Sequence, residues 1–586
     1  MRQTRPFTRR VRSGPLHPEI TGPGGEALAG QRGFLRDQLE EAGGACREGW
    51  QVLRRRGPDR VQFWFIALLV GIASGMVTLA FRKGIEQLQI LVYTTHDVHL
   101  HSIAETLPWY WLLAVPVIGG LIVGQILHRF TPDGRVRSVA DVIEGAALKE
   151  GRVEMREGLA SAAASLVTLS TGGSTGREGP VVHLAGTISS WVSRRLRADG
   201  MTGRDLLGCA VAAAVSASFN APIAGALFAL EVVLRHFAVH AFAPIAIASV
   251  AGTVVNRLEY GNVTEFRLPE PGALNFYEEL PAFLLLGLVC GLVAVVLMRS
   301  IFFAEEVAGR VQGATGMPRW LRPGVSGAML GLMAIWFPHV IGVGYETTAA
   351  ALTGQLTLGA AVVFALVKAA AVSVTFAGRM GGGVFSPSLM MGALTGLAFG
   401  HIATAVFPDI SGSEGVYALA GTGAVAAAVL GAPISTTLIV FELTGDWQVG
   451  IAVMTSVSLS SALASRMVAR SFFLTQLERR GISLADGPQR YILAMFRVSA
   501  VMRPIESPTA APRAALEELL GAGIAIDQSE TLHRAMPLFD QGDTAILPVI
   551  RADGAGEPEI VGALHHLDAL KAYSRALAAT AAEEHS

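Results

Sequence analysis

Apolar runs fill the middle of this chain, and their lengths are uneven. The first is Phe63–Ala80. It is followed by Trp109–Leu127, Leu159–Leu169, Leu206–Leu230, Phe242–Val255, Pro281–Phe303, Val325–Phe337, Ala360–Phe376, Leu389–Phe407, Val416–Phe441 and Gly450–Met467. Several are too short to cross about 30 Å of hydrocarbon as straight helices, and many are interrupted by Gly, Pro or Ser. Broken segments are tolerated at membrane depth only where the freed backbone is buried in protein or lines a cavity. The pattern predicts an all-α polytopic membrane protein with its site at mid-membrane, as in a transporter or channel. After Arg470 the pattern changes. Ser471–Gly481 reads as a helix leaving the membrane, and Ser529 as the cap of a helix through Phe539. Thr544–Ile550 and Glu559–Leu564 read as strands around a turn at Asp553–Pro558, with a helix over His566–Leu577. This is a small α/β module in water.

Composition agrees. Of 586 residues, 51% are apolar and 16% charged, against about 25% charged in soluble domains. The net charge of −1 names no partner, and no nucleic-acid partner is expected. Met1–Gly30 is rich in Arg, Gly and Pro and lacks the apolar core of a signal peptide, so it reads as a mobile tail. Phe34–Arg56 reads as a surface helix. Arg54, Arg55, Arg56 and Arg60 then precede the first apolar run, which places the N-terminus in the cytoplasm by the positive-inside rule. The expected divisions are residues 1–57, 58–481 and 482–586. Cys46, Cys209 and Cys290 have neither metal nor disulfide spacing, and no metal site is expected.

Two motif pairs recur in the same order. FNAPIAGALFALE at Phe219–Glu231 matches LGAPISTTLIVFE at Leu430–Glu442, with Ala-Pro-Ile and the closing Glu at one offset. GREGP at Gly176–Pro180 and GVFSP at Gly383–Pro387 share the frame GxxxP at nearly that offset. The chain therefore reads as two related halves.

The candidate chemistry sits in Thr171–Thr187, TGGSTGREGPVVHLAGT. Pro180 is expected to open a helix. Glycines at 176 and 179 uncover backbone N–H groups at a positive dipole end, which attracts anions. Glu178 is an ionisable residue at membrane depth, a functional candidate by default, with satisfaction of the helix N-terminus as the plainer role. Arg177 supplies either background positive potential or a structural ion pair.

GREGPVVH at 176–183, FNAPIAGALFALE at 219–231 and GGVFSP at 382–387 resemble signatures of the CLC chloride channels and proton/chloride antiporters. The resemblance covers about Phe63 to Gly481. It implies two inverted-topology halves assembled as a homodimer in the bilayer, with one anion pathway per subunit and the bacterial inner membrane as its place. It also implies that Glu178 is the gate, a carboxylate that fills an anion site and swings away when protonated. The anion-binding set is then Gly176, Arg177 and Gly179 from one half and Val384 and Phe385 from the other, with Ser138 and Phe473 at the family's serine and tyrosine places. VSAVMRP at 498–504 and VGALHHLDAL at 561–570 similarly resemble a CBS unit.

Four departures modify those expectations. The family's serine loop corresponds to VRSVADVIE at Val136–Glu144, which puts Ser138 or Arg137 at the serine position according to register; a fluoride-selective variant follows as one alternative. The anion-coordinating tyrosine corresponds to Phe473. Val232 stands where antiporters carry their internal proton-transfer glutamate; Glu231 beside it is either a substitute relay or, with its repeat mate Glu442, a structural residue. In the terminal module Asp568 matches a ribose-contacting position, but one unit alone is recognisable and His565 replaces the usual Ser or Thr. Adenine nucleotide binding is thus a minor expectation, no cofactor is required, and stabilisation of a dimer is the simpler role. No Ser–His or paired-Asp constellation suggests a hydrolase, so no enzyme activity is expected. The expected function is chloride or other small-anion transport, channel-like or weakly proton-coupled, with proton/chloride antiport as the alternative.

Overall fold

The computed structural model describes residues 60–584 except 96–98, 238, 262–275, 483, 485–492, 494–495, 508–510, 543 and 552–558. All of them belong to one compact unit, Asp59–Ser586. The expected tail, the surface helix Phe34–Arg56 and the turn Asp553–Pro558 lie outside the described residues.

Among the described residues, seven helices are long and apolar enough to cross a membrane. Shorter apolar helices lie at Pro222–Leu234, Glu414–Leu430 and Pro433–Thr444, as the uneven runs anticipate. Two helices extend well past their apolar runs: the first covers Arg60–Tyr93 and another Phe276–Thr315. Long helices of this kind exceed the hydrocarbon thickness and must tilt or protrude.

The repeat is visible element by element. Glu178–Leu196, Gly200–Phe219 and Pro222–Phe228 in the first half correspond to Phe385–Val406, Glu414–Leu430 and Pro433–Thr444 in the second. In each half the second of these helices ends on a left-handed residue, Asn220 (φ 57°) or Gly431 (φ 70°). An Ala-Pro pair then starts the next helix, with Pro at its first position, where its missing N–H costs nothing. Glu414–Leu430, EGVYALAGTGAVAAAVL, is buried almost throughout. Its Gly and Ala side let the helix Phe385–Val406 pack closely against it.

The halves exchange their closing glutamates. Glu231 accepts from the N–H groups of Ile434 (3.0 Å) and Ser435 (2.8 Å) and from the Ser435 hydroxyl. Glu442 accepts from the N–H groups of Ile223 (2.9 Å) and Ala224 (2.7 Å). Each carboxylate thus caps the Pro-initiated helix of the opposite half, satisfying donors that a helix start leaves without intrahelical acceptors.

After Phe472–Glu478 the chain forms a four-stranded sheet. Its strands are β1 (Arg503–Pro504), β2 (Ile526–Asp527), β3 (Ile546–Arg551) and β4 (Glu559–His565), in the order β1-β4-β3-β2. β3 and β4 are antiparallel with Leu547 opposite Leu564, and β2 runs parallel to β3. Leu532, Phe539, Leu547, Val549 and Leu564 form its core. The intervening helix is Leu532–Gly542 rather than one capped at Ser529. Ser529 instead gives its hydroxyl to Asp527 (2.6 Å).

Hydrogen bonds to a charged acceptor contribute about 1.5–3 kcal/mol each, so Glu442→Ala should lower the thermal midpoint of the detergent-solubilised protein by several degrees. Glu442→Gln, which keeps one carbonyl acceptor, should fall between. A midpoint unmoved in Glu442→Ala would remove the capping role.

Candidate functional site

The turn before Glu178 is held from the other half of the chain. Gly176 N–H donates to Gly383 O at 2.7 Å, and Gly383 N–H returns a bond of 2.7 Å to Gly176 O. The Thr175 hydroxyl adds a bond of 2.9 Å to the same Gly383 carbonyl. Side chains are excluded here: a Cβ on Gly176 would lie 3.0 Å from Ser386 N, and one on Gly383 would lie 2.9 Å from Gly179 N. The adjoining Gly382 has φ 132°, a conformation that only glycine adopts freely.

This pairing sets two helix starts side by side. One helix begins at Glu178, with Arg177 as its N-cap, two residues before the expected start at Pro180. The other begins at Phe385 with Val384 as its N-cap. First-turn N–H groups have no intrahelical acceptors, and both dipoles present their positive ends. Gly176, Arg177 and Gly179 are thereby brought next to Val384 and Phe385. The Phe385 ring packs on Phe219 (4.7 Å between centroids) and Phe228 (6.0 Å), which fixes the second helix start against the first half.

Glu178 is 3% exposed. Its Oε1 accepts a 2.5 Å bond from the Ser386 hydroxyl and a longer one, 3.4 Å, from the Tyr345 hydroxyl. Its Oε2 is buried with no hydrogen-bond partner among the described residues. A carboxylate satisfied on one oxygen only is held less firmly than one satisfied on both, since a buried acceptor without a donor is costly. Arg177 lies with its guanidinium 5.0 Å from the Tyr345 ring centre. Ser386 and Tyr345 were not read as site residues from sequence. Ser386 had a signal, since it occupies in GVFSP the place of Gly179 in GREGP. Tyr345 had none, being 167 residues from Glu178 in a separate short helix.

The sequence profile described as "Voltage gated chloride channel" matches residues 119–465. A ClcB-like chloride channel protein of Ralstonia nicotianae is 31% identical over 418 residues, covering 71% of this chain and 96% of that protein. The chain belongs to the CLC family. An H(+)/Cl(-) exchange transporter, ClcA, of Cronobacter sakazakii is 30% identical over 430 residues, covering 71% of this chain and 89% of its own. A solved structure of a slow cyanobacterial Cl-/H+ antiporter superimposes with a TM-score of 0.63 at 20% identity, covering 72% of this chain and 98% of that one.

The remaining candidates of this CLC chain occupy distinct places. Ser138 caps the helix Val139–Leu148, and its N–H donates to Asp141 (2.8 Å). It also lines a cavity that reaches Gly382. Arg137 is turned into carboxylates, bonded to Asp133 (2.9 Å) and to Glu157, so its charge is neutralised locally. Phe473 is buried edge-on to Phe472 at 5.9 Å. Its helix, Phe472–Glu478, packs on Val139–Leu148, the helix that Ser138 opens. Val232 is buried in the π-helical turn Ala229–Leu234. With Glu231 it lines a cavity of about 380 Å³, but the Glu231 carboxylate is engaged as a cap.

In the terminal module Asp568 accepts a 2.6 Å bond from Arg503 Nε. That guanidinium holds the Asp568 carboxyl below the usual carboxylate range, and burial lowers His565. A ribose at Asp568 would compete with this ion pair.

A charged-acceptor bond of about 1.5–3 kcal/mol latching Glu178 predicts roughly tenfold more anion flux at neutral pH in Ser386→Ala, with pH dependence kept because the carboxylate remains. Tyr345→Phe, losing a longer bond, should have a smaller effect. Unchanged flux in Ser386→Ala would sink the latch. Glu178→Gln removes the ionisable group and should give flux that is high and flat with pH.

Proposed function

We propose that this protein conducts chloride or another small anion across a bilayer, along a path that the Glu178 carboxylate closes. The observation that carries the reading is the seating of that carboxylate at two converging helix starts, with one oxygen latched by Ser386 and the other without a partner among the described residues. An anion of similar charge suits the same place, and the site supplies dipoles rather than a bare cation, which lets the ion leave. Protonation or displacement of Glu178 shifts the balance between closed and open states. The path is channel-like or weakly proton-coupled, because Val232 cannot carry a proton and Glu231 is committed to capping the opposite half. The expected assembly is a homodimer in a bacterial inner membrane with both termini cytoplasmic; the arginines before the first span support the cytoplasmic N-terminus. The terminal module is read as stabilising that assembly, with adenine nucleotide at Asp568 a lesser role that requires Arg503 to let go.

Proton/chloride antiport is the second reading, favoured by the 30% identical relative named as an exchange transporter.

Chloride efflux from proteoliposomes, with external pH recorded, separates the two. Downhill chloride movement with no proton flux is the expected result. Chloride driven uphill by a proton gradient would establish antiport and overturn the weight placed on Val232.

A further inference from the structure

Between Ser138 and the point where the chain leaves the membrane domain lies a cavity of about 270 Å³ whose walls carry five arginines. They are Arg135, Arg322, Arg379, Arg479 and Arg480, against two acidic residues, Glu305 and Glu306. Two of these charges are answered elsewhere: Arg480 pairs with Asp141 at 2.7 Å and Glu306 with Arg310 at 2.5 Å. Four arginines then face Glu305. Three of the four are held by uncharged oxygens. Arg322 donates to Ala377 O (2.6 Å), Gln312 Oε1 (3.0 Å) and Glu305 O (3.2 Å). Arg379 donates to Asp133 O and Arg479 to Phe302 O, both at 3.3 Å. Arg479 also lies 4.7 Å over the Phe302 ring. These bonds orient the guanidinium groups without neutralising them. Burial first, and then the charge of Arg135, lowers the affinity of Arg379 for its proton. Arg379 also adopts a left-handed backbone (φ 55°), a conformation that non-glycine residues hold chiefly where their surroundings require it.

We propose that this cavity binds a compact diphosphate group, free or carried on a lipid, and that its occupant closes the anion path beside Ser138 and Gly382. Guanidinium forks match phosphate oxygens two at a time. The volume, about 270 Å³, lies just below the roughly 300–1,000 Å³ typical of ligand pockets, which suits a diphosphate better than a whole nucleotide. A conducted ion must bind weakly enough to leave, and four convergent arginines are ill suited to that. They suit a resident inhibitor. The blocking half rests on the anion-path reading; the binding half does not.

Calorimetric titration of the full chain in zwitterionic detergent with sodium pyrophosphate, at fixed ionic strength, tests the binding. Saturable binding of one pyrophosphate per chain is expected, weakened about tenfold or more in Arg135→Gln/Arg379→Gln, as loss of one to two charge-assisted bonds implies. Arg135→Gln alone serves if the double variant does not fold, with a smaller loss expected. No saturable binding, or affinity unchanged in the folded variant, overturns the proposal. Repeating the titration in phosphatidylcholine nanodiscs with and without a polyprenyl diphosphate separates the sources. Competition by the polyprenyl diphosphate assigns the site to a lipid-borne diphosphate, and undiminished pyrophosphate affinity assigns it to the free anion. Chloride efflux, normalised to each protein's own rate, should fall with pyrophosphate in the natural protein and not in the variant. Pyrophosphate that binds without slowing a measurable efflux overturns the block. Absence of any chloride efflux counts against the anion-path reading and leaves the binding result standing.

Discussion

Two hydrogen bonds between Gly176 and Gly383, each 2.7 Å, join the functional turns of the two halves backbone to backbone. Most of the site's geometry follows from them. They leave no room for side chains at the contact, so the sequence there is glycine on both sides. They place two positive helix ends together, an unfavourable arrangement unless negative charge is present. The protein carries its own, the Glu178 carboxylate, next to Ser386 of the other half. On the proposed reading, the gate is therefore a resident counter-ion that competes with the transported one. Closure and conduction then satisfy the same electrostatic demand.

Three buried or half-buried glutamates illustrate how roles separate without a change of residue type. Glu231 and Glu442 each use both oxygens on main-chain donors of the opposite half, and moving either would strand several donors at once. Glu178 has one oxygen engaged and one without a partner among the described residues. Its donors are the hydroxyls of Ser386 and Tyr345, which can turn to other acceptors, whereas a main-chain N–H cannot. On the proposed reading, the difference between a cap and a gate is thus the kind of donor that meets the carboxylate and how the donors are spread over its two oxygens, and it depends on helices far apart in the chain.

Charge is sorted on the same principle. Arg137 is met by Asp133 and Glu157 and contributes little field beyond them. Arg322, Arg379 and Arg479 are met by carbonyl oxygens, which fix their direction and leave their charge. Arginines of one type therefore meet different electrostatic surroundings, carboxylates at Arg137 and carbonyl oxygens at Arg322, Arg379 and Arg479.

Much of this protein is determined by sequence alone. The apolar runs require a membrane fold, because so few charges cannot cover a soluble surface. The repeated Ala-Pro-Ile and GxxxP frames require two related halves, and glycine and proline impose local backbone geometry wherever they sit. The GREGP turn was legible as a helix start near an ionisable residue for that reason. Tertiary structure decided what was not local. Helix ends drifted from their apolar runs because length beyond the hydrocarbon is free to continue. Tyr345 reached Glu178 from 167 residues away, and the glutamate exchange joined positions about two hundred residues apart. Ser386 became a latch only through the Gly176–Gly383 contact. Chain pattern specifies which groups a segment offers; which partners they find depends on packing between segments, and no period or spacing within one segment carries that information.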